Sequence, residues 1–214
     1  MSFTGNGSAG ATVGHGLSAI PKFILVKVHT SSTAYDWRVF HASLGATKNL
    51  ILNDTSAVAT ATNKWNDTEP TSSVFSLGNT AGTNESGSGI IAYCFAEKKG
   101  YSKFGSYVAN GNASGGFVYT GFKIGWLMIK RTDSAAGWII YDSKSEGRNT
   151  ENDYLLASSS SAEGGNNEID LLSNGFKPRE ANRNELNVSG ASYVYMCFAE
   201  SPFTTSTGIP TTAR

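Results

Sequence analysis

One passage of this chain occurs twice. Ile90-Ile91-Ala92-Tyr93-Cys94-Phe95-Ala96-Glu97 returns as Tyr193-Val194-Tyr195-Met196-Cys197-Phe198-Ala199-Glu200. The same displacement carries Pro21-Lys22-Phe23-Ile24-Leu25-Val26-Lys27 onto Ile124-Gly125-Trp126-Leu127-Met128-Ile129-Lys130, and Asn84-Glu85-Ser86-Gly87 onto Asn187-Val188-Ser189-Gly190. An internal duplication limits the fold to two similar bodies, each large enough for a small core of its own. It also gives a rule for finding function. Residues shared by the copies serve the scaffold, and a site belongs where the copies differ.

Both copies read as short strands. In the first they fall near 23–28, 37–40, 50–52, 74–77 and 90–96. In the second they fall near 107–109, 117–119, 126–131, 138–141, 154–157, 169–172 and 193–198. β-branched and aromatic residues fill these runs, and Gly, Asn, Ser and Asp bound them. No helical apolar period persists, although 41–50 has room for one helical turn. The pattern predicts an all-β protein: two tandem homologous antiparallel β-sandwich repeats, jelly-roll-like and packed together, over 1–103 and 104–203, with an extended tail over 204–214. The strands around Cys94 and Cys197 are apolar on both faces and are expected innermost. The aromatic pairs Phe23/Trp126, Trp37/Trp138, Phe40/Tyr141 and Phe75/Phe176 are expected to fill the cores.

Charge narrows the partners. Only 16% of the 214 residues are charged, with Lys+Arg 17 against Asp+Glu 17. A balanced, sparse charge argues against general affinity for nucleic acid or an anionic membrane. The apolar runs are too short for a helical membrane span, and the N-terminus carries no secretory pattern.

Motifs for catalysis or cofactors are weak. Gly5-Asn6-Gly7-Ser8-Ala9-Gly10 spells G-x-G-x-x-G, but no strand–helix frame surrounds it, so it reads as a turn. His15, His29 and His41 share no metal-ligand spacing and read as turn or surface residues. Glu97 and Glu200 each follow Phe-Ala at a strand end, which suits a structural role better than a glycosidase pair. Cys94 and Cys197 read as buried thiols, with a mutual disulfide as the alternative. No catalytic, metal or cofactor residue is assigned. The clearest difference between the copies is Lys64-Trp65-Asn66-Asp67-Thr68-Glu69-Pro70, whose counterpart near 158–165 lacks a tryptophan. Trp65, Asn66 and Asp67 are therefore the candidate ligand-binding residues, as a ring for a sugar to stack on. The competing reading is a tryptophan that caps its own sandwich.

Gly14-His15-Gly16-Leu17, Pro21 to Lys27, His41-Ala42-Ser43-Leu44-Gly45-Ala46-Thr47-Lys48, Ala92 to Glu97 and Gly100-Tyr101-Ser102-Lys103-Phe104-Gly105-Ser106-Tyr107 form one recurring module. Phe117-Val118-Tyr119-Thr120-Gly121-Phe122, Met128-Ile129-Lys130-Arg131-Thr132-Asp133 and Phe198-Ala199-Glu200-Ser201-Pro202-Phe203 continue it. Together they resemble a domain of uncharacterised function in virion structural proteins of tailed bacteriophages, above all marine and cyanobacterial phages. There it often forms the C-terminal part of tail-fibre-like or other appendage proteins. The resemblance implies a non-enzymatic protein exposed on the virion after assembly in the host cytoplasm. It also implies a homo-oligomer, with a trimer favoured, that contacts other tail or capsid proteins and a host-surface glycan. The alternatives are a capsid decoration, cement or head-fibre protein, and a polysaccharide depolymerase. Because the domain starts at Met1, a small accessory protein is among the expectations.

Overall fold

The structure is a computed structural model that describes residues 1–145 and 151–201. It divides into two compact units, Met1–Ala96 and Glu97 onward. The boundary lies a few residues before the expected 103/104. Residues just past it feed the strand Ser102–Val108, which pairs only within the second unit. The expected tail over 204–214 lies outside the described residues.

The first unit contains β1 (Ser2–Thr4), β2 (Ala11–Gly14), β3 (Pro21–Val28), β4 (Arg38–His41), β5 (Lys48–Ile51), β6 (Ala59–Thr60), β7 (Val74–Leu77), the short helix α1 (Ala81–Asn84) and β8 (Gly89–Ala96). Strands β1-β8-β3-β4-β5-β6 make one antiparallel sheet, and β2-β7 make a second. Alternation directs one set of side chains inward from each sheet. Phe75 and Leu77 of β7 therefore meet Ile24 and Val26 of β3, Phe40 of β4, and Ile90 and Ala92 of β8 in one core. This is a two-layer sandwich.

The second unit contains β9 (Ser102–Val108), β10 (Val118–Tyr119), β11 (Ile124–Arg131), β12 (Trp138–Asp142), β13 (Glu151–Leu156), β14 (Gly164–Leu172), β15 (Gly175–Pro178) and β16 (Ser192–Ala199). Its order, β9-β16-β11-β12-β13-β14-β15-β10, repeats the first five strands of the large sheet and then departs. The long β14 pairs with both β13 and β15, so the counterparts of the two first-unit sheets join into one eight-stranded sheet. The sheet folds over itself. Phe176 of β15 meets Tyr195 of β16 with ring centroids 5.5 Å apart, although the two strands are not neighbours.

Registers confirm the duplication. Ile24 pairs with Phe40 as Leu127 pairs with Tyr141, and Phe3 pairs with Ile90 as Tyr107 pairs with Tyr193. A register shift occurs at the same place in each copy, between Pro21 and Phe23 and between Ile124 and Trp126. Such an irregularity turns the strand locally and is inherited with the scaffold.

Several expectations need correction. The stretch 41–50 holds a hydrogen-bonded turn between β4 and β5, with the N–H groups of Leu44 and Gly45 on the carbonyl of His41, and its end is strand; the short helix of the first unit lies at Ala81–Asn84. β16 is buried on both faces, but β8 is not: Ile90 and Ala92 face the core while Tyr93 is exposed. Trp37 and Trp126 are half-buried, so only six of the eight paired aromatics fill cores.

Candidate functional site

Several buried polar residues are scaffold shared by both copies. Asn84 and Asn187 are buried equivalents. Asn84 Nδ2 donates to Ser8 O at 3.0 Å and Gly78 O at 2.9 Å, and Asn187 Nδ2 donates to Asn112 O at 2.7 Å and Glu180 O at 2.9 Å. Each ties the loop after the first strand to the loop after β7 or β15, so the buried amide is itself satisfied. Lys27 Nζ donates to Tyr35 O, and Lys130 Nζ to Ala136 O at 2.6 Å. His41 and its counterpart Asp142 make one turn with different chemistry. Nδ1 of His41 accepts from Ser43 N at 3.1 Å, and Oδ1 of Asp142 accepts from Lys144 N at 2.9 Å. The histidine is therefore a turn cap. His15 bridges Thr71 O and Leu17 N, while the backbone N–H of His29 bonds to Gly89 O.

The glycine-rich stretch is a loop between β1 and β2. A Cβ on Gly5 would fall 2.1 Å from Glu85 O, and Gly7 takes φ +69°, as its equivalent Gly111 takes +72°. Steric fit accounts for these glycines.

Carboxylates are held in place. Glu200 lies between Lys123 at 2.6 Å and Lys144, whose hydrogen bonds hold its carboxyl below the usual range. Glu97 pairs with Lys103 at 3.1 Å. Ser88, Ser31 and Tyr35 lower Glu85 in the same way. A general acid needs the opposite shift. Cys94 and Cys197 are free thiols, so the disulfide alternative is corrected. Burial pushes Cys94 up to about 11 and Cys197 higher still. Neither is an activated nucleophile.

The predicted ligand residues are placed differently from expectation. Trp65 is 2% exposed and belongs to the first core, with its ring edge-on to Phe40 at 5.9 Å. Its face is spent on packing rather than offered to a sugar. Asn66 is half-buried and Asp67 exposed, in a turn where both have positive φ. Where the first unit sets Trp65 against Phe40, the second sets a polar group. Tyr141 OH donates to Glu168 Oε2 at 2.5 Å, and Arg183 Nε lies 3.3 Å from Glu168 Oε1. The Arg183 guanidinium also covers the Tyr154 ring at 5.0 Å. This difference lies inside the cores.

The surface difference is a cleft at the same place in each unit, between the edge strands of the two layers. In the first unit it has about 360 Å³ and is lined by Ser2, Thr4, Asn6 and Thr12 over a floor of Phe3, Val13 and Leu77. In the second it shrinks to about 70 Å³. Tyr107 replaces Phe3, Val108 replaces Thr4, and Phe117 replaces Thr12, so larger side chains line the smaller space. Of these, Val108 and Phe117 are themselves exposed, and Tyr119 stands beside them in place of Gly14. The sequence reading found the strand around 117–119 but missed its mismatch with Thr12 and Gly14. Alignment on the paired glycines Gly7/Gly111 and Gly16/Gly121 carries that signal.

Fold and site together define a duplicated antiparallel β-sandwich protein with a neutral, hydroxyl-lined cleft in its first unit and exposed aromatics beside the second. Among the described residues no group of three or more His, Cys, Asp or Glu is placed to hold a metal, and no helix is long and apolar enough to cross a membrane. The family model for a domain of unknown function (DUF7483) matches residues 1–202, and the chain belongs to that family. No curated protein and no solved structure matches it.

Proposed function

We propose that this chain is a bacteriophage virion structural protein, of tail-fibre or surface-appendage type, that attaches to a host-surface glycan by contact without catalysis. It acts as a homo-oligomer, with a trimer favoured, joined to other tail or capsid proteins. The phage assignment rests on the sequence motifs that resemble virion domains. The binding assignment is carried by the first-unit cleft. Its walls offer the hydroxyls of Ser2, Thr4 and Thr12 and the amide of Asn6, and its floor is apolar. A sugar presents the complementary surface, with hydroxyls at its rim and C–H groups on its face, and no charge has to be desolvated.

The test is adhesion of the purified chain to host cells and to empty capsids, with Thr12→Arg as the blocked-cleft variant. Binding to cells that Thr12→Arg weakens supports the reading. Binding to capsids alone replaces it with the cement reading, which the free edge strands β1 and β2 favour because an edge offers unpaired N–H and C=O groups to another chain. New reducing ends from host polysaccharide overturn the non-catalytic part.

A further inference from the structure

The second unit carries a feature that the first lacks and that its fold does not require. Val118 is directed toward the core and pairs with buried Phe176, so Phe117 and Tyr119 project from the opposite face of β10. They are 50% and 62% exposed. Their equivalents in the first unit are Thr12 and Gly14, where the same strand pairing forms around Val13 and Phe75. The scaffold therefore folds without rings at these positions, and burying them contributes little to the core.

The surroundings of the two rings are a glycine and three charged side chains. Tyr119 lies opposite Gly175, and a Cβ on Gly175 would fall 2.8 Å from the Phe117 ring. The Phe117 ring thus rests on bare backbone, which limits its motion. One row further in, Gly175 and Lys177 on β15 pair with Leu172 and Asp170 on β14. Lys177 and Asp170 share the outward face with the rings. Arg179 lies 3.5 Å from Asp170, so the acid is already balanced. β10 is the last strand of its sheet, which leaves the rings accessible from the side.

We infer that Phe117 and Tyr119 form a second carbohydrate-binding site, a stacking platform for a neutral pyranose chain. This rests on the reading of the protein as a glycan binder and adds to it a site unlike the cleft. An aromatic face is electron-rich, and the C–H groups on one side of a pyranose carry partial positive charge, so the two stack. Rings at i and i+2 of a strand stand about 7 Å apart, close enough for neighbouring sugars of one chain to use both. Lys177 and the Asp170–Arg179 pair, at the rim, supply donors and acceptors to hydroxyl groups. Two cations stand against one acid here, so a neutral chain, which gains nothing from that charge, reports the stacking by the rings alone.

The experiment uses the full chain and a printed array of neutral and acidic oligosaccharides, with the strongest neutral binder carried into titration. The main variant is Phe117→Thr/Tyr119→Gly, which installs the first unit's residues. Tyr119→Ser is the milder companion if the double variant loses its folded circular dichroism signal. Thr12→Arg blocks the cleft separately. The platform predicts an affinity loss of about tenfold or more for Tyr119→Ser, and a larger loss for the double variant. It also predicts a contribution that survives Thr12→Arg. A neutral glycan that binds wild type and both β10 variants alike overturns the platform and leaves the glycan-binding function standing. Retention of acidic glycans alone overturns it too. An array on which nothing binds, with no adhesion to host cells, removes both the platform and the proposed function.

Discussion

The two units share a strand order and a register, yet they solve the same interior problem with opposite chemistry. In the first, Phe40 meets Trp65, and both rings are buried in an apolar core. In the second, the equivalent of Phe40 is Tyr141, which meets the fully buried Glu168 and, through it, Arg183. The physical consequence is unequal. An apolar pair gains from burial in proportion to area. A buried ion pair must first recover the hydration its charges lose, and it holds only while every partner is present. The backbone differs accordingly. A loop carries Trp65 between separate sheets, whereas β14 runs through as a strand, carries Glu168, and welds the sheets together. A duplicated fold thus tolerates a change of core polarity if a local segment changes with it.

The comparison is most directly broken by Trp65→Ala. Removing a buried tryptophan is expected to cost the first unit about 3–5 kcal/mol. Denaturant unfolding with hydrogen exchange should place that loss in the strands of residues 1–96. A cost below about 1 kcal/mol would mean that Trp65 does not hold the core.

Arg183→Ala should cost the second unit somewhat less, about 2–3 kcal/mol. It removes the nearby charge of a buried carboxylate that keeps its Tyr141 hydrogen bond, and Arg183 is itself 24% exposed on its side chain and partly screened. The apolar triple Tyr141→Phe/Glu168→Leu/Arg183→Met should be neutral or stabilising, as replacement of buried ion pairs often is. A triple variant as unstable as Arg183→Ala would show that the network does something packing cannot replace.

Alkaline pH sharpens the contrast. Burial raises Tyr107 and Tyr141 well above their ordinary value of 10.0, and it raises Tyr193 and Tyr195 as well. The first unit has one raised tyrosine, Tyr35, held up by its hydrogen bond to Glu85. The folded state keeps these protons while the unfolded chain gives them up. The stabilisation is therefore complete below pH 10 and is lost as pH climbs from there toward the folded values. The second unit should lose exchange protection at lower pH than the first, in step with delayed tyrosinate absorbance. Simultaneous loss in both units would contradict the assignment. The smallest effect concerns the thiols: Cys94 is half-buried and Cys197 buried, so alkylation of the native protein at pH 8 should label Cys94 first.

Much of the architecture was legible from residues alone. Strand 74–77 matches β7, and the others were found within a few residues, because β-branched runs bounded by turn residues have few alternatives. β1, β2, β6 and β15 escaped notice. All are four residues or fewer, β2 and β15 also carry glycine or proline, and pairing with a partner strand rather than local pattern makes them strands. The site was harder to read. Trp65 stood out as a difference between copies, but its burial follows from where Phe40 lies, and that is a long-range fact. Ser2, Thr4 and Thr12 gave no local sign of sharing a cleft.

By itself, the sequence determined that this protein is a β scaffold written twice, with matched turns, strands and buried anchors, since those depend on neighbours in the chain and on a repeat visible by inspection. Only the tertiary structure decided which differences between the copies are interior and which face solvent. Exposure depends on what the other layer of each sandwich covers. Trp65 was consequently drawn into a core, while Phe117 and Tyr119, at the start and end of a short edge segment, were left facing outward.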